Sequence, residues 1–223
     1  LRFQHTFQVN SYNYQYKDIL ADSTIYSNWY NLTLKDANDT VWYKERWSQV
    51  RNDFSLVQFP DTKNQAQFFL AGIRYDQIKQ VNDSGTNRYY NLSAHAEYRN
   101  RTRNKKWDLL LTGELYLNGL NGGNYTAYAS IERLLSKKLG YVQLYFKNSN
   151  RSPSFQFDPR TIFSFGNNSS LKNENIISFG ATATNSFFTL GFRNHLITNY
   201  AFLSDYYHRS QYGKPINLLQ VIA

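Results

Sequence analysis

The residues best placed to do chemistry are charged side chains that recur opposite apolar neighbours: Arg51, Asp53, Arg74, Asp76, Glu97, Arg99, Asp108, Glu114, Glu132, Lys147 and Arg193. Five are positive and six negative. Charges of mixed sign gathered on one wall either line a hydrated passage with a field across it or close it as a plug of ion pairs. Catalysis has a weaker case. His5, His95, His195 and His208 share no metal-ligand spacing, and the pattern sets no serine beside a histidine as a nucleophile–base pair needs. The run Gly119-Leu120-Asn121-Gly122-Gly123 lacks the following lysine and helix of a phosphate loop. Asp83-Ser84-Gly85 lacks the acidic spacing of a calcium loop, and the scattered Asp18, Asp22, Asp36 and Asp39 make a poor cation cage. The expectation is therefore no catalytic residue, no metal site, no cofactor and no enzyme.

Alternating segments must position these charges. From residue 88 to 118, Tyr90, Leu92, Ala94, Ala96 and Tyr98 point one way and Asn91, Ser93, His95, Glu97 and Arg99 the other. After a basic turn, Trp107, Leu109, Leu111, Gly113, Leu115 and Leu117 share a face against Asp108, Thr112, Glu114, Tyr116 and Asn118. A period of two is a β-strand with one apolar face. Strands of about 9–11 residues with aromatic ends fit a closed barrel crossing a bilayer, whereas soluble strands are usually about 5–6 residues.

The same reading along the chain predicts about ten antiparallel strands in an up-and-down order, over 2–16, 46–59, 66–80, 88–98, 107–118, 125–135, 141–149, 176–184, 187–202 and from 215 onward. Residues 203–213 are polar and aromatic. The stretches 17–45 and 150–174 read as long loops, and connections near 60–64, 99–106, 136–140 and 185–186 as short turns. Long loops alternating with short turns mark an outer-membrane barrel, with the long loops outside. The rule holds only in part, because the third and fifth connections are short as well. If the apolar face meets lipid, Phe69, Ile73, Leu92, Ala94, Tyr98, Leu109, Leu111, Leu115, Ile131, Leu144, Phe179 and Leu190 point outward. A charge on that face would cost about 2–4 kcal/mol at the bilayer midplane.

Composition agrees. The 223 residues suit one β domain, spanning 1–223; aromatics make up 17%, with 19 Tyr and 16 Phe, against only 4 Pro. Mean hydropathy is −0.62, and no apolar run approaches the roughly 18–20 residues of a membrane helix. The absence of cysteine removes disulfide scaffolds and thiol catalysis. A net charge of +9 suggests nucleic acid as partner, but the basic residues are dispersed, with one cluster at Arg99, Arg101, Arg103, Lys105 and Lys106 on a predicted turn. No nucleic-acid platform is expected. Leu1 and Ala223 both fall in strand-like sequence, so a piece cut from a larger barrel is expected.

Segments such as Arg88-Tyr89-Tyr90-Asn91-Leu92-Ser93-Ala94-His95, Tyr125-Thr126-Ala127-Tyr128-Ala129-Ser130 and Arg51-Asn52-Asp53-Phe54 resemble the "putative porin" family of Bacteroidota outer membranes. The resemblance is one of style across most of the chain. It implies an all-β transmembrane barrel in the cell outer membrane, partnered by lipid, and passive diffusion of small hydrophilic solutes, with no catalytic residues. The alternative is a non-conducting barrel acting as scaffold with other outer-membrane proteins in a secretion or uptake complex. Asp22-Ser23-Thr24 and Asp39-Thr40-Val41 also match the O-glycosylation sequons of that phylum, which implies Ser23 and Thr40 as modification sites.

Overall fold

The computed structural model describes residues 1–30, 33–34, 40–83, 85–154, 157, 171–204 and 208–223. Ten strands form one antiparallel sheet: β1 (Arg2–Asp18), β2 (Val41–Gln58), β3 (Gln67–Asn82), β4 (Gly85–Arg101), β5 (Trp107–Gly119), β6 (Tyr125–Ser136), β7 (Gly140–Arg151), β8 (Glu174–Thr184), β9 (Thr189–Thr198) and β12 (Ile216–Ile222). Each strand pairs with its sequence neighbour, and a separate hairpin, β10 (Tyr200–Ser204) and β11 (His208–Tyr212), is inserted between β9 and β12. The described sheet is open, with β1 and β12 as its edges.

The expected up-and-down antiparallel order is present, and the second sheet among the described residues is the two-stranded β10–β11 hairpin. Boundaries differ where the one-sided pattern fades. The 17–45 loop is shorter than expected, because β1 runs to Asp18 and β2 starts at Val41. There both faces carry polar and tyrosine side chains, so pairing continues after the apolar row has ended. Within this connection Asp22 caps helix α1 (Ser23–Tyr30): its Oδ1 accepts the backbone N–H groups of Thr24 (2.8 Å) and Ile25 (3.3 Å). Tyr26 docks the helix by donating to Asp18 Oδ2 at 2.9 Å and sharing a 2.8 Å hydroxyl bond with Tyr16; burial and these contacts push its phenol pKa well up. The ninth strand, expected over 187–202, ends at Thr198, and residues from Tyr200 onward form the β10–β11 hairpin with part of the 203–213 stretch, which carries no alternating signal.

Turns on the opposite end are tight and self-satisfied. Asn185 Oδ1 accepts the N–H groups of Phe187 and Phe188, and Ser136 Oγ that of Leu139. On the long-loop end, Gly119 takes φ +101° in the β5–β6 turn. A Cβ there would collide with the Tyr90 carbonyl, to which Leu120 donates at 2.8 Å, so only glycine closes this turn.

Burial runs opposite to that of a soluble protein. Ser55, Asp76, Gln80, Asn91, Ser93, Ser130 and Ser178 are buried, while apolar residues of the same strands are exposed. Ile73 keeps 55% of its surface exposed and its near neighbour Asp76 keeps 1%. No described helix is long and apolar enough to cross a membrane. The sheet has a polar inside and an apolar outside.

Candidate functional site: the polar inner face

The ladder registers decide which residues share the polar face. Arg51 lies opposite Asp76 and Asp53 opposite Arg74 on β2–β3. The register continues from Arg74 and Asp76 to Ser93 and Asn91, then from Ser93 and His95 to Tyr116 and Glu114. Further round come Glu114 to Thr126, Asp108 to Glu132, Tyr128 to Lys147, Lys147 to Ser178, Gly180 to Arg193 and Ser178 to His195. Every charged residue singled out from the sequence therefore stands on one face of one sheet. Residues of β1, β2, β3, β5 and β6, among them Tyr12, Gln49, Ile78, Tyr116 and Thr126, surround one cavity of about 630 Å³ on this face, so the sheet curls with its polar side concave.

On β2–β5 the charges are locked together. Arg51 donates to Asp76 through Nε (2.7 Å) and Nη2 (3.1 Å) in a two-pronged bond. Arg74 joins three strands, reaching Asp53 Oδ2 at 3.0 Å and Glu114 Oε1 at 2.5 Å. Asp53 Oδ1 also accepts from Ser55 Oγ at 2.7 Å and lies 2.9 Å from His95 Nε2; Ser93 Oγ donates to Glu114 at 3.1 Å. Gly72 makes room for this cluster, because a Cβ there would strike Ser55 Oγ and lie 2.7 Å from His95 Nε2. Toward the short-turn end Arg99 grips Asp108 through Nε (3.3 Å) and Nη2 (2.8 Å), with Arg101 at 3.9 Å.

Toward the long-loop end sits a second polar knot. Buried Glu45 accepts from Tyr43 Oη (2.5 Å), Trp47 Nε1 (2.8 Å) and Gln80 Nε2 (2.5 Å). Gln80 Oε1 in turn accepts from Tyr89 Oη at 3.1 Å. Among the described residues three neutral donors and no cation meet this carboxylate.

The face of β6–β9 is different in kind. A cleft of about 610 Å³ is lined by Tyr128, Gln143, Tyr145, Lys147, Ser178, Thr182, Arg193 and His195, among others, and none of the described lining residues is acidic. Lys147 and Arg193 are exposed to it and form no ion pair among the described residues. Ser178 Oγ and His195 Nδ1 are 2.8 Å apart. The Tyr145 ring covers Gly180, since a Cβ there would lie 2.7 Å from Tyr145 Cε1, and Tyr128 stacks beside Tyr145 at 6.2 Å.

Sequence reasoning assigned the face of the wall charges but missed who pairs with whom. It left out the Arg74 bridge over three strands, His95 as partner of Asp53, Arg101 beside Asp108, and the Glu45–Gln80 knot. Cross-strand register could have found the first three once the turns were placed. Glu97 and Glu132 share the inner face but make no ion pair among the described residues. Ser23 is the first residue of α1 and Thr40 is exposed just before β2; both lie on the long-loop end. Asp36 and Asp39 lie outside the described residues, and among the described ones no cluster of His or carboxylates fits a metal ion.

A single curled sheet with paired charges inside and bare aliphatic and aromatic rows outside narrows the comparison to membrane barrels. No curated protein and no solved structure matches the chain. A family model does match, the one described as "Putative porin", over residues 1–223. On that whole-length match, the chain belongs to the "putative porin" family.

Proposed function

We propose that this sheet is wall of an outer-membrane channel that lets small hydrophilic solutes diffuse passively, its apolar face in lipid and its polar face on a water-filled lumen. The observation that carries this reading is the inverted burial: Asp76, Ser93 and Ser178 withdrawn, Ile73, Tyr90 and Phe179 exposed on the same strands. The apolar rows suit it in height. On β4 they run from Tyr90 to Tyr98, about 27 Å along a strand at about 3.4 Å per residue. At a tilt of about 40° that is about 20 Å of bilayer, close to the apolar band of about 25 Å of known barrels. His5 and Asn52, polar residues within the apolar rows, answer each other at 3.3 Å, and His5 stacks on Phe54, which reduces the cost of placing them against lipid.

On this reading the long connections holding Ser23, Thr40 and the β10–β11 hairpin are extracellular. The β2–β5 network stiffens one side of the lumen, and solutes travel past the unpaired Lys147 and Arg193 on the other. Net discrimination between ions is weak, because acids and bases nearly balance and selectivity needs rings of one sign.

Planar-bilayer recording of the full-length protein tests the proposal. Steady ohmic steps are expected. Silence, together with partner proteins that co-purify, would replace the channel with a scaffolding barrel whose lumen is closed by its ion pairs.

A further inference from the structure

The outward face of β1–β4 carries a feature that transport does not use. Immediately beyond the outward row Val9–Val50–Gln77–Tyr90, the registers place Lys79 and Arg88 in the next outward row, with Ser11 and Ser48. Arg46 follows one row higher beside Asn13, then Lys44 beside Gln15, then Trp42 beside Lys17. All five cations lie toward the long-loop end and on the same side of the sheet as Ile73 and Leu92. Lys44 Nζ stands 3.9 Å from the centre of the Trp42 ring and Lys17 Nζ 5.3 Å. Arg46 Nε is held by Asn13 Oδ1 at 3.0 Å. A groove of about 590 Å³ runs between Lys44, Arg46 and Lys79. Among the described residues the one acid open to it is Asp83, because the Glu45 carboxylate is taken up by Tyr43, Trp47 and Gln80.

Solvated cations are ordinary on a protein surface, but these are sorted. Among described strand residues, the other basic outward position is Arg133 of β6, near the short-turn end, with its guanidinium over the Trp107 ring at 4.7 Å. On β7 and β8 the outward positions beyond the apolar rows are Asn148, Asn150 and Asn175. An apolar band capped on one flank by a cation-lined groove and an indole matches the chemistry of a lipid whose headgroup bears phosphate: acyl chains below, anion above, and a ring at the boundary.

We propose that the β1–β4 flank binds the phosphate-bearing headgroup of a lipid in the leaflet on the long-loop side. The proposal rests on the membrane-wall reading above. Lys44, Lys79 and Arg88 supply the free charge, Arg46 is pre-positioned by Asn13, and Trp42 marks the interface.

The test uses full-length protein in zwitterionic detergent, titrated with diphosphoryl lipid A and with phosphatidylcholine, bound lipid being read by native mass spectrometry. Retention of lipid A over phosphatidylcholine is expected, with a tenfold or greater loss in Lys44→Gln/Lys79→Gln/Arg88→Gln. Lys147→Gln/Arg193→Gln, changed on the inner face, should retain lipid A as the parent does. Equal retention by the triple variant would overturn the proposal, and so would displacement of lipid A by equimolar inorganic phosphate, which would assign the groove to the free anion. Bilayer conductance of the same triple variant separates the two readings: steps without lipid preference leave the channel standing and remove the lipid site, whereas a parent that neither inserts nor conducts removes both.

Discussion

The two sides of the polar face were built from the same alternating pattern and ended with opposite electrostatics. On β2–β5 an acid faces a base across neighbouring strands, Arg51 against Asp76 and Asp53 against Arg74, so the charges are spent on one another. On β7–β9 the positions facing the cations are small or neutral: Ser178 and Tyr128 face Lys147, and Gly180 and Gln220 face Arg193. Charge on a wall is therefore either structural or available, and the cross-strand neighbour decides which. The first side resists deformation; the second can attract an anion to the polar face.

The largest contrast should appear in stability. Arg74→Met removes the arginine from Asp53 and Glu114, both mostly withdrawn from solvent, and is expected to cost about 3 kcal/mol, the low end for breaking a buried ion pair, because Ser55, His95 and Ser93 still meet the two carboxylates. Arg193→Met leaves nothing unpaired and should stay within about 0.5 kcal/mol. Urea unfolding in lipid vesicles, followed by loss of the heat-modifiable band, measures both. Similar losses at the two sites would erase the distinction.

Next in size is a packing test of the paired side. Gly72→Ala pushes a methyl group into Ser55 and His95 and against the Phe54 carbonyl, and is expected to cost about 2 kcal/mol by overpacking. An unchanged unfolding midpoint would mean that the Asp53–His95 contact is not held tightly.

A third experiment sharpens the other side. Lys147→Glu/Arg193→Glu should move the reversal potential in a salt gradient toward cation preference while leaving unfolding unchanged. The same reversal at Arg51 should instead impair folding, since it sets a third carboxylate beside Asp76 and Glu114.

The smallest effect belongs to the turns. Arg103 ties the β4–β5 turn to the β2–β3 turn through Asp61, and this bond holds the Asp61 carboxyl below its ordinary range. A depressed folded pKa adds stability above the unfolded value and loses it as pH falls through the folded one. Arg103→Gln should therefore lower the unfolding midpoint slightly at pH 7 and leave it unchanged in strong acid. A larger effect in acid would reverse the sign and refute the pairing.

Much of this was legible beforehand, for a physical reason. A wall wet on one side and apolar on the other must alternate, so Ile73 and Arg74, or Leu115 and Glu114, were assigned to their faces from their types alone. Leu110 departs from the alternation between Leu109 and Leu111, and the register sets it on the polar face opposite Ser130. The ends of β1 and β2 were underestimated because backbone pairing outlasts the one-sided pattern, and the β10–β11 hairpin because neither of its faces is apolar. Pairing inside the site was out of reach: a slip of two residues preserves every face while exchanging every partner. The bulge between Leu92 and Ser93, which sets Asn118 opposite Leu92, has no mark in the sequence.

The central claim is that the concave polar face meets water and the convex face meets lipid. These 223 residues contain no cysteine, so single cysteines introduced into the full-length protein at Leu144, Lys147, Phe179, Thr182, Leu190 and Arg193 can report their surroundings. Labelling intact outer-membrane vesicles with a small hydrophilic maleimide should modify positions 147, 182 and 193 and spare 144, 179 and 190. Uniform labelling, or labelling of the second set in place of the first, would contradict the account.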